Sequence, residues 1–173
     1  YGVSKKIDIL VNAAGINLRI PAEDLSLDDW QKTININLTA PYYLSQLVVN
    51  KMKENQWGRI INIASLQSLR AFDDSIPYGA SKGGVMQLTR ALAQSYSKHG
   101  ILVNAIAPGF FNTKLTESLF KDPKKLQTLA GKTMINRNGE ERDLFGISVF
   151  LCSDANSYIT GQTIFLDGGF TAQ

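Results

Sequence analysis

Ile60-Ile61-Asn62-Ile63-Ala64-Ser65 is an almost unbroken apolar run that ends in a hydroxyl, and Ile101-Leu102-Val103-Asn104-Ala105-Ile106-Ala107 is a second such run. Between them lies a stretch of helical period, opened by Pro77, carrying Val85, Leu88, Leu92 and Tyr96 on one face, and closed by Gly100. Strands buried on both faces read as continuous apolar runs, and two of them joined through a helix make a parallel crossover unit. The pattern extends both ways from this centre. Ile7 to Ala13 reads as an earlier strand, and Asp28 to about Asn55 as a long helical stretch with Leu44, Leu47, Val48 and Met52 on its buried stripe. Glu140 to Ser153 reads as another helix, and Thr163 to Leu166, closed by Asp167-Gly168-Gly169, as the last strand. The expected fold class is α/β: a doubly wound parallel sheet of about four strands with helices on both faces, leaving one sheet edge bare.

The chain has 173 residues, 44% apolar and 19% charged, which suits a single globular domain over 1–173. A net charge of +3, with lysines and arginines scattered and densest between Lys121 and Arg142, reads as a solvated face and not as a nucleic-acid footprint. The one cysteine, Cys152, excludes an internal disulfide and gives no basis for a metal cluster, so a reducing, cytoplasmic setting is expected. No apolar run approaches the roughly 18 residues that span a bilayer. The chain starts at Tyr1, and the strand pattern begins at Ile7, so it is expected to be the C-terminal part of a longer protein.

Chemistry centres on Tyr78-x-x-x-Lys82, because residues four apart lie one above the other on a helix. An ammonium there favours the phenolate, drawing a group that ordinarily titrates near about 10 toward neutrality and making Tyr78 a general acid or base. Spacing alone does not single this pair out, because Tyr1 and Lys5 share it. Setting does so: Tyr78 stands in Tyr-Gly-Ala-Ser-Lys, and Ser65 ends a strand thirteen residues earlier, where a hydroxyl can donate to a substrate oxygen. Taken singly, Ser65 also suits a turn cap, Asn37 a helix end, and Tyr78 a half-buried position near an exposed lysine.

Taken together and in this order, these residues resemble the short-chain dehydrogenase/reductase family over essentially the whole chain. Asn12-Ala13-Ala14-Gly15 is similar to the family's Asn-Asn-Ala-Gly turn, with one asparagine replaced by alanine. Asn37, in Asn-Ile-Asn-Leu-Thr, sits where the family keeps its catalytic asparagine. Pro108-Gly109-Phe110-Phe111-Asn112-Thr113 resembles the segment whose backbone and threonine hold the nicotinamide carboxamide, with Phe111 where a smaller branched residue is usual.

The resemblance implies a Rossmann-type fold, NAD or NADP as cofactor, and hydride transfer between nicotinamide and a secondary alcohol or ketone. Ser65 would hydrogen-bond the substrate oxygen and Tyr78 exchange its proton. Lys82 would lower the tyrosine pKa and bind the nicotinamide ribose, while Asn37 would hold a water. Asn12, Ala14, Gly15, Pro108, Gly109, Phe111 and Thr113 complete the expected cofactor contacts. None of the fourteen glycines forms Gly-x-Gly-x-x-Gly. The pyrophosphate-binding units would therefore require something on the order of 70 further residues upstream, and this part alone is expected to be inactive. The competing reading is a non-catalytic assembly module.

Ile16-Asn17-Leu18-Arg19-Ile20-Pro21 resembles the corresponding stretch of sugar-acid dehydrogenases such as gluconate dehydrogenases, which makes Arg19 a candidate carboxylate partner. Gln67, Ser68 and Arg70 either meet substrate hydroxyls or face water. A 3-oxoacyl-carrier-protein reductase shares the same motifs and is the alternative activity. The family implies a lid over Thr113–Arg137, with Leu115, Leu119, Phe120, Leu126 and Met134 as its apolar face. It also implies a homotetramer paired through the two long helices, for which Tyr42, Tyr43, Val49 and Met86 are the surplus apolar residues.

Overall fold

The computed structural model describes residues 6–173, so Tyr1 and Lys5 lie outside the described residues. Four strands, β1 (Ile9–Asn12), β2 (Gly58–Ile63), β3 (Ile101–Pro108) and β4 (Thr163–Leu166), form a parallel sheet in the order β1-β2-β3-β4. This is the α/β, Rossmann-like architecture the alternation of apolar runs and helical periods called for. β2 and β3 are buried almost throughout, while the edge strand β1 leaves Ile9 43% and Val11 51% exposed.

Because successive side chains point to opposite faces, Ile60 and Ile61 open two separate cores. Ile60, Ile101 and Val103 pack with Val48, Val49 and Met52 of α2 (Ala40–Glu54) and Leu92 and Ala93 of α3 (Ile76–Tyr96). On the other face Ile61 and Ile106 meet Leu151 of the helix Glu141–Cys152. Gly100 ends the α3 region at φ 74°, and a Cβ there would lie 2.0 Å from the Gln56 carbonyl oxygen, so only glycine lets β3 start where it does.

The long helical stretch is interrupted at a point that matters for the site. α1 (Leu27–Ile34), capped by Ser26, runs into a π-helical turn, Asn35–Thr39, before α2 begins. A π turn carries one extra residue per hydrogen-bonded ring and often marks a functional position. α3 presses on this turn: a Cβ at Gly84 would come 2.7 Å from Leu38 Cδ2. Beyond the turn, the buried positions of α2 are Pro41, Ser45, Val48, Val49 and Met52. Leu44 and Leu47, expected inside, are exposed, and Val49, expected as surplus surface, is core.

After β3 the chain forms two short helices, α4 (Glu117–Phe120) and α5 (Pro123–Gly131), before α6 (Glu141–Cys152) returns to the sheet. Among the described residues no helix is long and apolar enough to cross a membrane, and no three His, Cys, Asp or Glu side chains gather as a metal site.

Candidate active site

Ser65 is fixed by the end of β2. Ala64 N–H still donates to the Ile106 carbonyl of β3 (2.8 Å), and Ser65 then caps a one-turn 3-10 helix, Leu66–Ser68. Its Oγ accepts from Gln67 N–H at 3.2 Å, so the turn-cap reading holds, and the same side chain acts on the Tyr78 phenol, favouring its ionised form. Tyr78 comes from the first turn of α3, which Pro77 opens, and is only 8% exposed. Sequence pattern alone left the cap and the substrate-facing hydroxyl as alternatives; in the fold the capping residue also lines the cleft.

Lys82 lies one turn further on, 4% exposed, with Nζ donating to the Ile63 carbonyl at 2.6 Å and 5.6 Å from the centre of the Tyr78 ring. No carboxylate among the described residues pairs with it, and burial pushes its ammonium down to about 8. Burial pushes the Tyr78 phenol up from its ordinary value, opposed by the hydrogen bond with Ser65 and by the charge of Arg19. Here burial outweighs the charges that favour the phenolate, among them that of Arg19.

Asn37, at the centre of the π turn, is fully buried. Its amide donates to the Ile16 carbonyl (2.9 Å) and to Ser81 Oγ (3.1 Å), while its Oδ1 accepts from Ile16 N–H (2.9 Å). Ser81 Oγ in turn donates to the Tyr78 carbonyl at 2.7 Å. Both amide hydrogens are therefore engaged, and the side chain braces the β1–α1 loop against α3 below Tyr78. Gly15 completes this corner: a Cβ there would stand 3.4 Å from Asn37 Oδ1 and 3.6 Å from Lys82 Nζ, so its absence leaves a cradle beside the ammonium.

A cleft of about 580 Å³ opens above these groups at the carboxyl ends of the strands. Of the expected site residues it is lined by Arg19, Ser65, Gln67, Tyr78, Pro108, Gly109, Phe111 and Thr113. Lys82 and Asn37 are buried and Gly15 is exposed, and none of the three is part of that lining. Phe111 is buried, with its ring over Gly139, where a Cβ would come 2.5 Å from Cζ; the bulk that departs from the family pattern is taken up there. Thr113 is exposed, its Oγ1 3.1 Å from Thr116 Oγ1. Arg19 holds a left-handed backbone (φ 55°) and reaches across to the Leu115 carbonyl at 3.3 Å. Strain of that kind at a non-glycine residue is usually tolerated only where the surroundings impose it.

Four more of the expected residues lie off the cleft lining. Ser68 is not on the cleft surface: its hydroxyl donates to the Lys82 carbonyl at 2.7 Å and so ties the Ser65 turn to α3. Arg70 turns to the C-terminal carbonyls of Thr171 and Gln173. Asn12 is buried in a polar ladder, donating to Asn62 Oδ1 (2.8 Å), whose amide donates to Thr89 Oγ1 (3.0 Å); this clamps β1, β2 and α3 together and does not face the cleft. Ala14 is exposed and likewise stands outside the cleft lining. Sequence reasoning missed Asn17, Phe72, Asp73, Ser75, Phe110 and Lys114, which line the cleft from irregular segments with no period to betray them. Adjacency to Arg19 and to Ser65 was the only available signal.

Residues 3–171 match a family model described as Enoyl-(Acyl carrier protein) reductase. A gluconate 5-dehydrogenase of Gluconobacter oxydans is 40% identical over 165 residues, covering 95% of this chain and 64% of the relative. A 5-keto-D-gluconate 5-reductase of Escherichia coli is 41% identical over 163 residues, covering 94% and 64%. The chain thus spans somewhat less than two thirds of these relatives' length. Among solved structures, a gluconate 5-dehydrogenase from Burkholderia cenocepacia in complex with NADP and tartrate superposes with a TM-score of 0.95 at 38% identity, covering 99% of this chain and 68% of that one. With Ser65, Tyr78 and the Pro-Gly segment in one cleft and the buried lysine one helical turn from the tyrosine, the chain belongs to the short-chain dehydrogenase/reductase family.

Proposed function

We propose that the protein is an NAD- or NADP-dependent oxidoreductase acting on a secondary alcohol or ketone of a small sugar acid of the gluconate type. The observation that carries this reading is the convergence of Ser65 and Tyr78 on one cleft that Arg19 also lines. The cradle at Gly15, beside a buried Lys82 without a carboxylate partner, fits the ribose of a nicotinamide nucleotide. Gly15, Tyr78 and Lys82 would hold that end, with Pro108, Gly109, Phe111 and Thr113 along the carboxamide side. Bound there, the nicotinamide supplies or accepts the hydride.

The chain's own residues then manage charge and protons. As a carbonyl is reduced, negative charge builds on its oxygen, and donors already aimed at that point stabilise the transition state more than the ground state. Ser65 donates to that oxygen and Tyr78 delivers the proton; in oxidation Tyr78 takes it back. A raised phenol keeps Tyr78 protonated at neutral pH, which favours its action as an acid. Lys82, one helical turn from Tyr78, places its ammonium beside the phenol ring, and Asn37 acts by holding Ile16 and α3 in register. Arg19 pairs with the substrate carboxylate, for which a guanidinium fork is suited, and Gln67 meets a hydroxyl.

The exposed Tyr42, Tyr43, Leu44 and Leu47 on α2 support a homotetramer paired through the long helices, and the cytoplasmic setting remains part of this reading. The segment 113–137 serves as the lid. The relatives, enzymes by name, lend no support to a non-catalytic assembly module. Purified protein assayed with gluconate-type substrates and with acetoacetyl thioesters tests the assignment. Sugar-acid turnover that falls at least about tenfold on Arg19→Ala is expected from loss of one charge-assisted pair. Thioester reduction without any sugar-acid oxidation, or full sugar-acid activity in Arg19→Ala, overturns it.

A further inference from the structure

Three phenylalanines from three separate segments meet beside the cleft. Phe72 and Phe110 lie edge to face at 6.2 Å, Phe110 and Phe170 edge to face at 5.6 Å, and Phe72 and Phe170 stack at 6.4 Å. Phe72 and Phe110 line the cleft; Phe170, in the C-terminal tail, stands behind them. Phe72 is 37% exposed and sits on the irregular stretch between the Ser65 turn and α3, which has no ladder to hold it. The tail supplies the holding. Arg70, two residues before Phe72, donates to the Gln173 carbonyl at 3.0 Å and reaches the Thr171 carbonyl at 3.5 Å. The tail itself is fixed: the Asp167 carboxylate accepts from Gly169 N–H and Thr171 N–H, both at 2.9 Å, and the Gln173 side chain donates to the Lys132 carbonyl at the end of the cap.

We infer that the C-terminal tail determines substrate selectivity from behind the cleft, Phe170 and Arg70 positioning Phe72 as an apolar wall for the carbon chain of an anionic substrate. The inference rests on the proposed function in taking this cleft as the substrate site. Arg19 and Lys114, against the single carboxylate of Asp73, leave the same cleft with an excess of positive charge, so the ligand it suits has two unlike parts. The carboxylate goes to the cations, and a carbon bearing hydrogens instead of hydroxyl goes against Phe72. A hydroxyl pressed on the phenyl wall would lose its water without gaining a partner. A mono-deoxy sugar acid therefore fits better than the fully hydroxylated one, and Phe170 and Arg70, which touch no substrate, are positioning residues.

The test compares gluconate with a set of mono-deoxy gluconates in the wild type, Phe170→Ala, Phe170→Leu and Arg70→Ala. Hydrogen exchange of residues 69–75 is followed alongside. The wild type should prefer at least one deoxy compound by about five- to tenfold in KM, in the range a buried methylene-sized difference produces. Phe170→Ala and Arg70→Ala should erase that preference with kcat within about twofold, a split that plain destabilisation does not give. Phe170→Leu should restore part of it, and exchange at 69–75 should quicken only in the two alanine variants. An unchanged preference in both alanine variants, or equal losses in kcat and KM together with a lowered Tm, overturns the inference. If the wild type turns over no sugar acid at all, the proposed function falls. The tether is then judged on exchange alone: faster exchange at 69–75 in Phe170→Ala sustains it and unchanged exchange removes it.

Discussion

The two sides of the cleft are built in opposite ways. On the side of β2, β3 and α3, buried polar groups are mostly paired, Asn12 Oδ1 excepted: Asn12 to Asn62 to Thr89, Asn37 to Ile16 and Ser81, Ser81 to Tyr78, Ser68 to Lys82. On the side of α4 and α5 the cap contributes Leu115, Leu119 and Leu129 to the cleft, yet α5 has no buried residue, and Met134 and Ile135 stay more than half exposed. The first side fixes its donors through buried hydrogen bonds, as preorganised catalysis requires. The second has the few buried contacts of a segment that opens at low free-energy cost. Chemistry belongs to the saturated side, and access belongs to the other.

Changes on the saturated side should be large and of separable kinds. Tyr78→Phe keeps the ring in its buried setting and removes only the hydroxyl, so kcat should fall by about 10²- to 10⁴-fold with KM little altered. Steady-state kinetics check this, and unchanged turnover would remove Tyr78 from the mechanism. Lys82→Met should also abolish turnover but should not cost stability, because it replaces a buried charge lacking a carboxylate partner by an apolar chain of similar length. Folding depresses Lys82 from 10.5 to about 8, so the wild type binds fewer protons folded than unfolded and loses stability as pH falls through that window. The stability advantage of Lys82→Met should therefore be greatest below pH 8 and fade above 10.5 in denaturation curves taken across pH.

Asn37→Ala tests whether this residue is a brace. It strands the Ile16 N–H and carbonyl, at a cost of about 1–3 kcal/mol for a buried unpaired group, seen as a lower Tm together with reduced activity. Activity loss with full stability would point back to a direct role. Smaller still is the effect of Arg19→Ala on pH dependence. Oxidation needs the phenolate, so its rate rises with pH through the Tyr78 ionisation, and removing a cation that draws this ionisation down should move the limb to higher pH. A kcat/KM profile that does not move, or moves to lower pH, separates Arg19 from Tyr78. On the open side, residues 113–132 should exchange amide hydrogens faster than β2 and β3, and slow when cofactor and substrate are added together.

How much of this was legible depended on what each residue answers to. β2, β3 and α3 were readable because burial on both faces leaves continuous apolar runs, and Ser65, Tyr78 and Lys82 because their order is tied to the end of one strand and the start of one helix. The inner face of α2 was misread for a physical reason. The π turn shifts helical phase after Ile34, and an inside position is held by Ser45, whose hydroxyl is satisfied by the Pro41 carbonyl at 2.7 Å, a polar residue that apolarity cannot find. Ser68 and Arg70 were assigned by proximity to Ser65, but their partners, Lys82 and the C-terminal tail, are remote in sequence. The brace at Asn37 and the opposed pulls on Tyr78 are likewise tertiary facts, set by loops that meet only in the fold.

The account stands on one transfer: hydrogen leaving the carbinol carbon of a sugar acid while Tyr78 takes the hydroxyl proton. Sugar acid carrying deuterium at the reacting carbon, incubated with the protein and oxidised NAD or NADP, should give reduced nicotinamide carrying one deuterium by mass spectrometry, with none formed by Tyr78→Phe on the same timescale. Oxidation of the labelled compound without label in the nicotinamide, or equal labelling by Tyr78→Phe, would contradict it.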